Sequence, residues 1–315
     1  MMQPILIGIA AGVAGALLFA APFSGSTLAI PLFALTGLPI AIAGLGWGVG
    51  AAIVAGVTGG AVLLGFANWA AAAIFVLLFA GPLAWLAHLA SLWRDVESPE
   101  SNGREWYPVG QLLGRAAVAA AAGLVAIGVI VGFDPPSLID GMTAALVEWL
   151  AAADGTVPPP TAAEIEPFVR FNVALMPLMM GVIALMILVL DLWLGAIVAR
   201  MSGRLARPRD RLWAVELPTG FVVGFAVAVI GSLIPGPIGY AGQAFVGTLG
   251  AAAALVGLAV LHALTIGMTG RVALLTLTYV IIFVSGFAAI LLALVGIGES
   301  ILNLRARRQG GGNRT

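Results

Sequence analysis

The apolar run from Val173 to Leu190 constrains this chain more than any other stretch. After one interruption, Asp191, it continues to Ala199. The segment opened by Phe168 thus supplies about 30 residues, roughly 45 Å of helix, enough to cross a tilted bilayer with its headgroup zones. Its flanks differ in charge. Residues 134 to 168 hold six acids (Asp134, Asp140, Glu148, Asp154, Glu164, Glu166) and no base, whereas Arg200, Arg204, Arg207, Arg209 and Arg211 follow against Asp210 alone. The positive-inside rule puts the arginines in the cytoplasm and the acidic loop outside.

Similar apolar windows recur, and composition explains why they do. The chain is 61% hydrophobic and 9% charged, against about 25% charged for a soluble domain. The fold class expected is all-α, a polytopic transmembrane helical bundle forming a single integral membrane domain. No alternating ten-residue strand pattern of a membrane barrel is visible. Net charge of zero gives no case for nucleic acid, and the absence of cysteine removes disulfides, thiolate metal sites and thiol catalysis. All 14 basic residues are arginine, a coding bias of G+C-rich bacteria that points to a bacterial inner membrane. The stretch Pro4 to Ala21 lacks a basic leader region and a small-residue cleavage site, so it reads as a retained first helix.

About ten spans follow, within a range of eight to ten. A broken helix runs to about Gly44, interrupted by Pro31, Gly37 and Pro39. Further spans cover about 49–66, 69–93, 111–132, 168–199, 214–234 and 243–265. The loop at 94–110 is expected in the cytoplasm, the loop at 134–168 in the periplasm, and the arginine loop at 200–213 and tail at 305–315 in the cytoplasm. In the acidic loop, Ser137 and Asp140 have capping-box spacing. Leu138, Met142, Ala145, Leu146 and Trp149 share one helical face, which predicts a short amphipathic helix on the outer surface or over a cavity. Pro158-Pro159-Pro160 forms a stiff spacer. At the end of the chain a break at Ser285-Gly286 gives two short helices and puts both termini inside. One unbroken span would leave the tail outside.

Ionisable residues inside spans are costly, which makes each a candidate. Asp191, His262 and His88 are the foremost, with Glu216 and Glu299 nearer an interface. Asp191 and His262 each lie nine residues from an arginine, roughly 13 Å deep at the helical rise. The three could converge into a proton- or ion-coupling cluster, with Asp191 paired to a histidine or Arg115. The alternative is a structural hydrogen bond or snorkelling to water. Asn172, Tyr240, Gln243 and Trp149, with Asn68 and Trp69, are candidates for an outward-facing pocket, or for an interfacial belt. Gly8 and Gly12, with Ala10 and Ala14 on the neighbouring stripe, could dock a partner subunit or pack within the chain. No phosphate-binding loop, zinc-protease helix or nucleophile elbow occurs. Enzyme activity is not expected, nor is any cofactor or metal.

At Gly44-Leu45-Gly46-Trp47, Trp106-Tyr107-Pro108-Val109-Gly110 and Gly296-Ile297-Gly298-Glu299 followed by Asn303-Leu304-Arg305, the chain resembles the YybS-like predicted membrane proteins of bacteria. That family looks distantly similar to the substrate-binding subunits of energy-coupling-factor transporters, which work with separate ATPase and coupling subunits. The resemblance implies such partners and gives the small-residue stripe of the first helix a contact role. The first expectation is therefore a component of small-molecule transport. The alternatives are a non-catalytic scaffold recruiting cytoplasmic partners and, third, a lipid flippase or lipid-handling enzyme.

Overall fold

A helix lets each apolar run satisfy its own backbone groups without water or a partner strand, and helices dominate the computed structural model. It describes residues 2–96, 104–152, 160–210, 215–218 and 220–302. The expectations for residues 305–315, for Arg211, and for Pro158 and Pro159 lie outside these.

The first half comprises α1 (Met2–Phe19), the broken pair α2 (Ala29–Phe33) and α3 (Leu38–Trp47), and α4 (Val49–Phe66). Then α5 (Trp69–Ile74) passes through a π-helical stretch, Phe75–Ala80, into α6 (Gly81–Ala90). Pro82 explains the widening, because it has no N–H to return to the preceding turn. Asn68 caps α5 by accepting from Ala71 N at 2.8 Å. Phe75 is fully buried and meets Phe19 edge-on at 5.9 Å between ring centroids, within a cluster that includes Phe33 and Phe79.

The loop expected after α6 carries a small hairpin, β1 (Trp93–Asp95) paired antiparallel with β2 (Arg104–Trp106). The pair Arg94–Glu105 and the stacking of Arg104 over Trp93 at 4.2 Å hold it. Next come α7 (Val109–Ile127), which ends in a π turn to Gly132, and α8 (Pro135–Ala151).

The long helix α9 (Ala162–Met201) has 40 residues, about 60 Å at the helical rise. That is twice the hydrocarbon thickness of about 30 Å, so its first turns project beyond any bilayer. Its N-terminus is a capping box of Thr161 and Glu164, six residues before the expected start. The amphipathic helix α8 packs on that projection. Ile139, with Leu146, Val147 and Leu150, meets Ile165, Val169 and Val173. Of the expected apolar face, Leu138 and Leu146 pack in this cluster while Met142, Ala145 and Trp149 are exposed, so the buried stripe is turned in part toward Ile139 and Val147. Ser137 does not form the expected capping box, as its hydroxyl instead donates to Asp134.

The chain finishes with α10 (Phe221–Ser232), α11 (Pro237–Leu264), α12 (Arg271–Ser285) and α13 (Phe287–Leu302). Gly286 (φ +64°) breaks the last pair, which is bent by 119°. The α11–α13 seam needs glycine, because a Cβ at Gly257 would lie 1.8 Å from the Leu292 carbonyl oxygen and one at Gly296 2.0 Å from that of Ala253.

Among the described residues seven helices are long and apolar enough to cross a membrane, and eight if the bent pair counts as one span. The count of eight meets the lower bound of the expected range, and the preferred count of about ten is not confirmed among the described residues. Helix α10 has 12 residues, about 18 Å, and α12 and α13 have 15 and 16. The architecture is that of a helical, multi-pass membrane protein.

Candidate functional site

Two faces of α9 carry the polar chemistry. Asp191 and Gly195 lie on the face toward α3. Between α2 and α3 the chain tightens into i→i+3 turns, with Thr36 N on Phe33 O and Leu38 N on Leu35 O at 3.1 Å each, and the Gly37 amide turns to a side chain instead; a carboxylate suits that positive helix end. Asp191 is fully buried, and its Oδ2 accepts from Gly37 N at 2.9 Å. Its Oδ1 has no hydrogen-bond partner among the described residues. Gly37 keeps this approach close, because a Cβ would lie 2.1 Å from Leu83 Cδ1 and 2.6 Å from Asp191 Oδ2 and would push both side chains away.

The neighbouring face of α9, from Leu188 through Leu192 and Ala196 to Arg200, borders a cavity of about 810 Å³ closed by α7, α11 and α12. Its deep end is apolar. Its mouth gathers Arg200, Arg207, Asp210, His262, Arg271 and Tyr279. The half-buried His262 approaches Leu258 O through Nδ1 at 3.0 Å and the Tyr279 hydroxyl through Nε2 at 3.4 Å. Arg207 is buried and bidentate on Asp210, at 2.8 and 3.0 Å, and donates to Ala90 O at 3.2 Å. These bonds tie the arginine loop to the end of α6. Among the described residues neither Arg200 nor Arg271 pairs with an acid.

The expected cluster of Asp191, His262 and His88 does not assemble. Asp191 faces α3, His262 faces the cavity, and His88 is exposed in the last turn of α6. Arg115 lies instead at a second cavity, about 680 Å³, between α7, α10 and α11.

The outward group is dispersed. Trp149 is exposed, and the exposed Asn172 donates to Phe168 O on its own helix. Tyr240 stacks edge-on with Phe133 at 5.0 Å, and the half-buried Gln243 leaves Oε1 without a partner among the described residues. None of these four lines either cavity.

The Gly8 and Gly12 stripe faces α4 within the chain: a Cβ at Gly12 would sit 2.4 Å from Ala55 O, and one at Gly8 2.7 Å from Ala51 O. Ala14 is half-buried and Ala10 exposed. No group of three or more potential metal ligands occurs among the described residues.

Comparison with known proteins found no matching family model, curated protein or solved structure. The site's chemistry alone therefore carries the reading of its role.

Proposed function

We propose that this chain is a membrane component of small-molecule transport that binds its cargo in the cavity between α7, α9, α11 and α12. The cavity itself carries the reading. At about 810 Å³ it falls in the size range of ligand sites, and it has their composition of apolar walls with a few convergent polar groups. Its mouth collects Ala90 from the end of α6, Val109 from the start of α7 and Arg200 from the end of α9. The arginine loop and the β1–β2 hairpin therefore share one end of the bundle, which positive-inside bias assigns to the cytoplasm. The buried contact of Asp191 with a broken helix is the kind of feature that discontinuous transporter helices use for ions, and it supports a coupling role for Asp191. The resemblance to energy-coupling-factor binding subunits adds ATPase and coupling partners to this reading. A scaffold role is favoured by one observation, the exposure of the hairpin and of Arg204 and Arg209 in the arginine loop.

The test is affinity purification in mild detergent, with mass spectrometry of co-purifying small molecules and proteins. Ala259→Phe, which puts a ring into the cavity beside Leu258 and narrows it, serves as the control. A metabolite held by the wild type and lost in the variant is the expected result. Soluble envelope proteins with no small molecule would overturn it in favour of the scaffold.

A further inference from the structure

We infer that the cavity's ligand is an anionic amphiphile, with one hydrocarbon chain lying between α9 and α11 and a phosphate or carboxylate head held by Arg200 and Arg271. This rests on the cargo-binding reading above and names the class of cargo.

Four observations lead there. The first is the wall. From Leu188 to Arg200 the cavity follows α9 for about 18 Å at the helical rise. Along α11 it follows Leu255, Leu258 and Ala259, with no polar side chain before His262. A polar metabolite lying in that channel would lose its water without gaining partners, which is costly. A hydrocarbon chain loses nothing.

The second is charge. Among the described residues three guanidiniums line the mouth against one carboxylate, Asp210. Arg207 takes both oxygens of that carboxylate, which leaves Arg200 and Arg271 as the uncompensated pair among the described residues. Cations at the edge of a membrane segment are stabilised by an anion between them. Guanidinium forks suit carboxylate and phosphate oxygens alike.

The third is the order along the channel. The cations lie at one end only, and the hydrocarbon surface begins directly behind them. That polarity matches a molecule with a charged head and a single tail, and it fixes which way round the ligand lies.

The fourth is access. Helix α12, which closes one side, has no buried residue, and Trp193 on the same border is 51% exposed. Apart from α13, little else packs on α12. Its contact with α11 at the mouth is the His262–Tyr279 pair. A chain already dissolved in the bilayer can enter past this helix without passing through water.

The experiment is native mass spectrometry of the full chain in nanodiscs of neutral phosphatidylcholine. The probes are oleate, lysophosphatidate, oleyl alcohol and inorganic phosphate. We expect one oleate or one lysophosphatidate per protein, with the better of the two showing whether the head is carboxylate or phosphate. Arg200→Gln and Arg271→Gln should each weaken that binding about tenfold, the loss of a charge-assisted bond. Arg271→Lys should retain most of it, and this charge-conserving variant guards against a loss caused by misfolding. Oleyl alcohol binding as tightly as oleate would overturn the inference, because the head charge would then be irrelevant. Inorganic phosphate occupying the site as well as lysophosphatidate would overturn it too, since the chain would add nothing. If Ala259→Phe displaces a co-purified polar metabolite while no amphiphile binds, the amphiphile class fails and the cargo-binding function stands. If Ala259→Phe displaces nothing at all, both fail.

Discussion

Replacing Asp191 separates a structural bond from a functional charge. Asp191 is fully buried, and its Oδ2 accepts from the amide of Gly37 at 2.9 Å, joining α9 to α3. Asp191→Asn keeps a carbonyl acceptor of the same size at that place. Asp191→Leu removes it and leaves a buried N–H without a partner. The desolvation penalty for such a donor is about 1–3 kcal/mol. Interhelical hydrogen bonds in membranes average nearer 0.6 kcal/mol, with a maximum of about 1.7. Leucine also removes an oxygen, Oδ1, that has no partner among the described residues, which returns part of the loss. The net expectation is that Leu is less stable than Asn by about 1–2 kcal/mol. Unfolding of the purified protein by graded denaturing detergent measures this difference directly. Leu matching or exceeding Asn would refute the claim that the carboxylate holds the α2–α3 break. A second readout concerns charge: Asn should fold like the wild type but lose uptake if Asp191 couples transport. Retained uptake would leave Asp191 a helix cap only.

Three further perturbations test the packing. Phe75→Ala should cost about 3–5 kcal/mol, because the ring is fully buried among Phe19 and Phe79, and thermal unfolding in detergent should show a large fall in melting temperature. Gly257→Val should separate α11 from α13 and sharply reduce the monodisperse fraction on gel filtration, whereas Gly298→Ala, with nothing within 4 Å, should be neutral. Arg207→Gln should cost about 1–2 kcal/mol, below the figure for a fully buried pair, because the Asp210 side chain is 33% exposed. Faster proteolysis within residues 202–210 would report the loosened loop, and an unchanged cleavage rate would count against the anchoring role of Arg207.

How far the sequence discloses this structure depends on the range of the forces involved. Apolar length and breaker residues act locally, so the span 49–66, the breaks around Gly37 and Pro39, and the stop at Ser285-Gly286 were all legible. The start of α9 has a local signal too, Thr161-Ala162-Ala163-Glu164 at capping-box spacing, although the apolar run alone puts the expected start at 168. The buried face of α8 coincides with the periodic one only at Leu138 and Leu146, because its choice depends on a partner, the projecting turns of α9, rather than on its own periodicity. The cavity was not legible. Arg200 and Arg271 are 71 positions apart, and no local pattern says that they share a mouth. Nor does periodicity say that Asp191 and Leu192, adjacent in the chain, face different neighbours. Titratable residues could be singled out by their cost in a membrane, but their grouping is a tertiary property.

The central claim, that the cavity between α7, α9, α11 and α12 holds a specific small molecule, is tested most directly by site-specific photo-crosslinking. A benzophenone side chain would be placed at Leu258, in the cavity wall, and at Leu17, on the 64% exposed outer face of α1. Adducts formed in native membranes would then be weighed. A single discrete adduct at Leu258, absent at Leu17, is the predicted result. The same mixture of bulk lipids at both positions would contradict it, because the cavity would then be only another part of the lipid-facing surface.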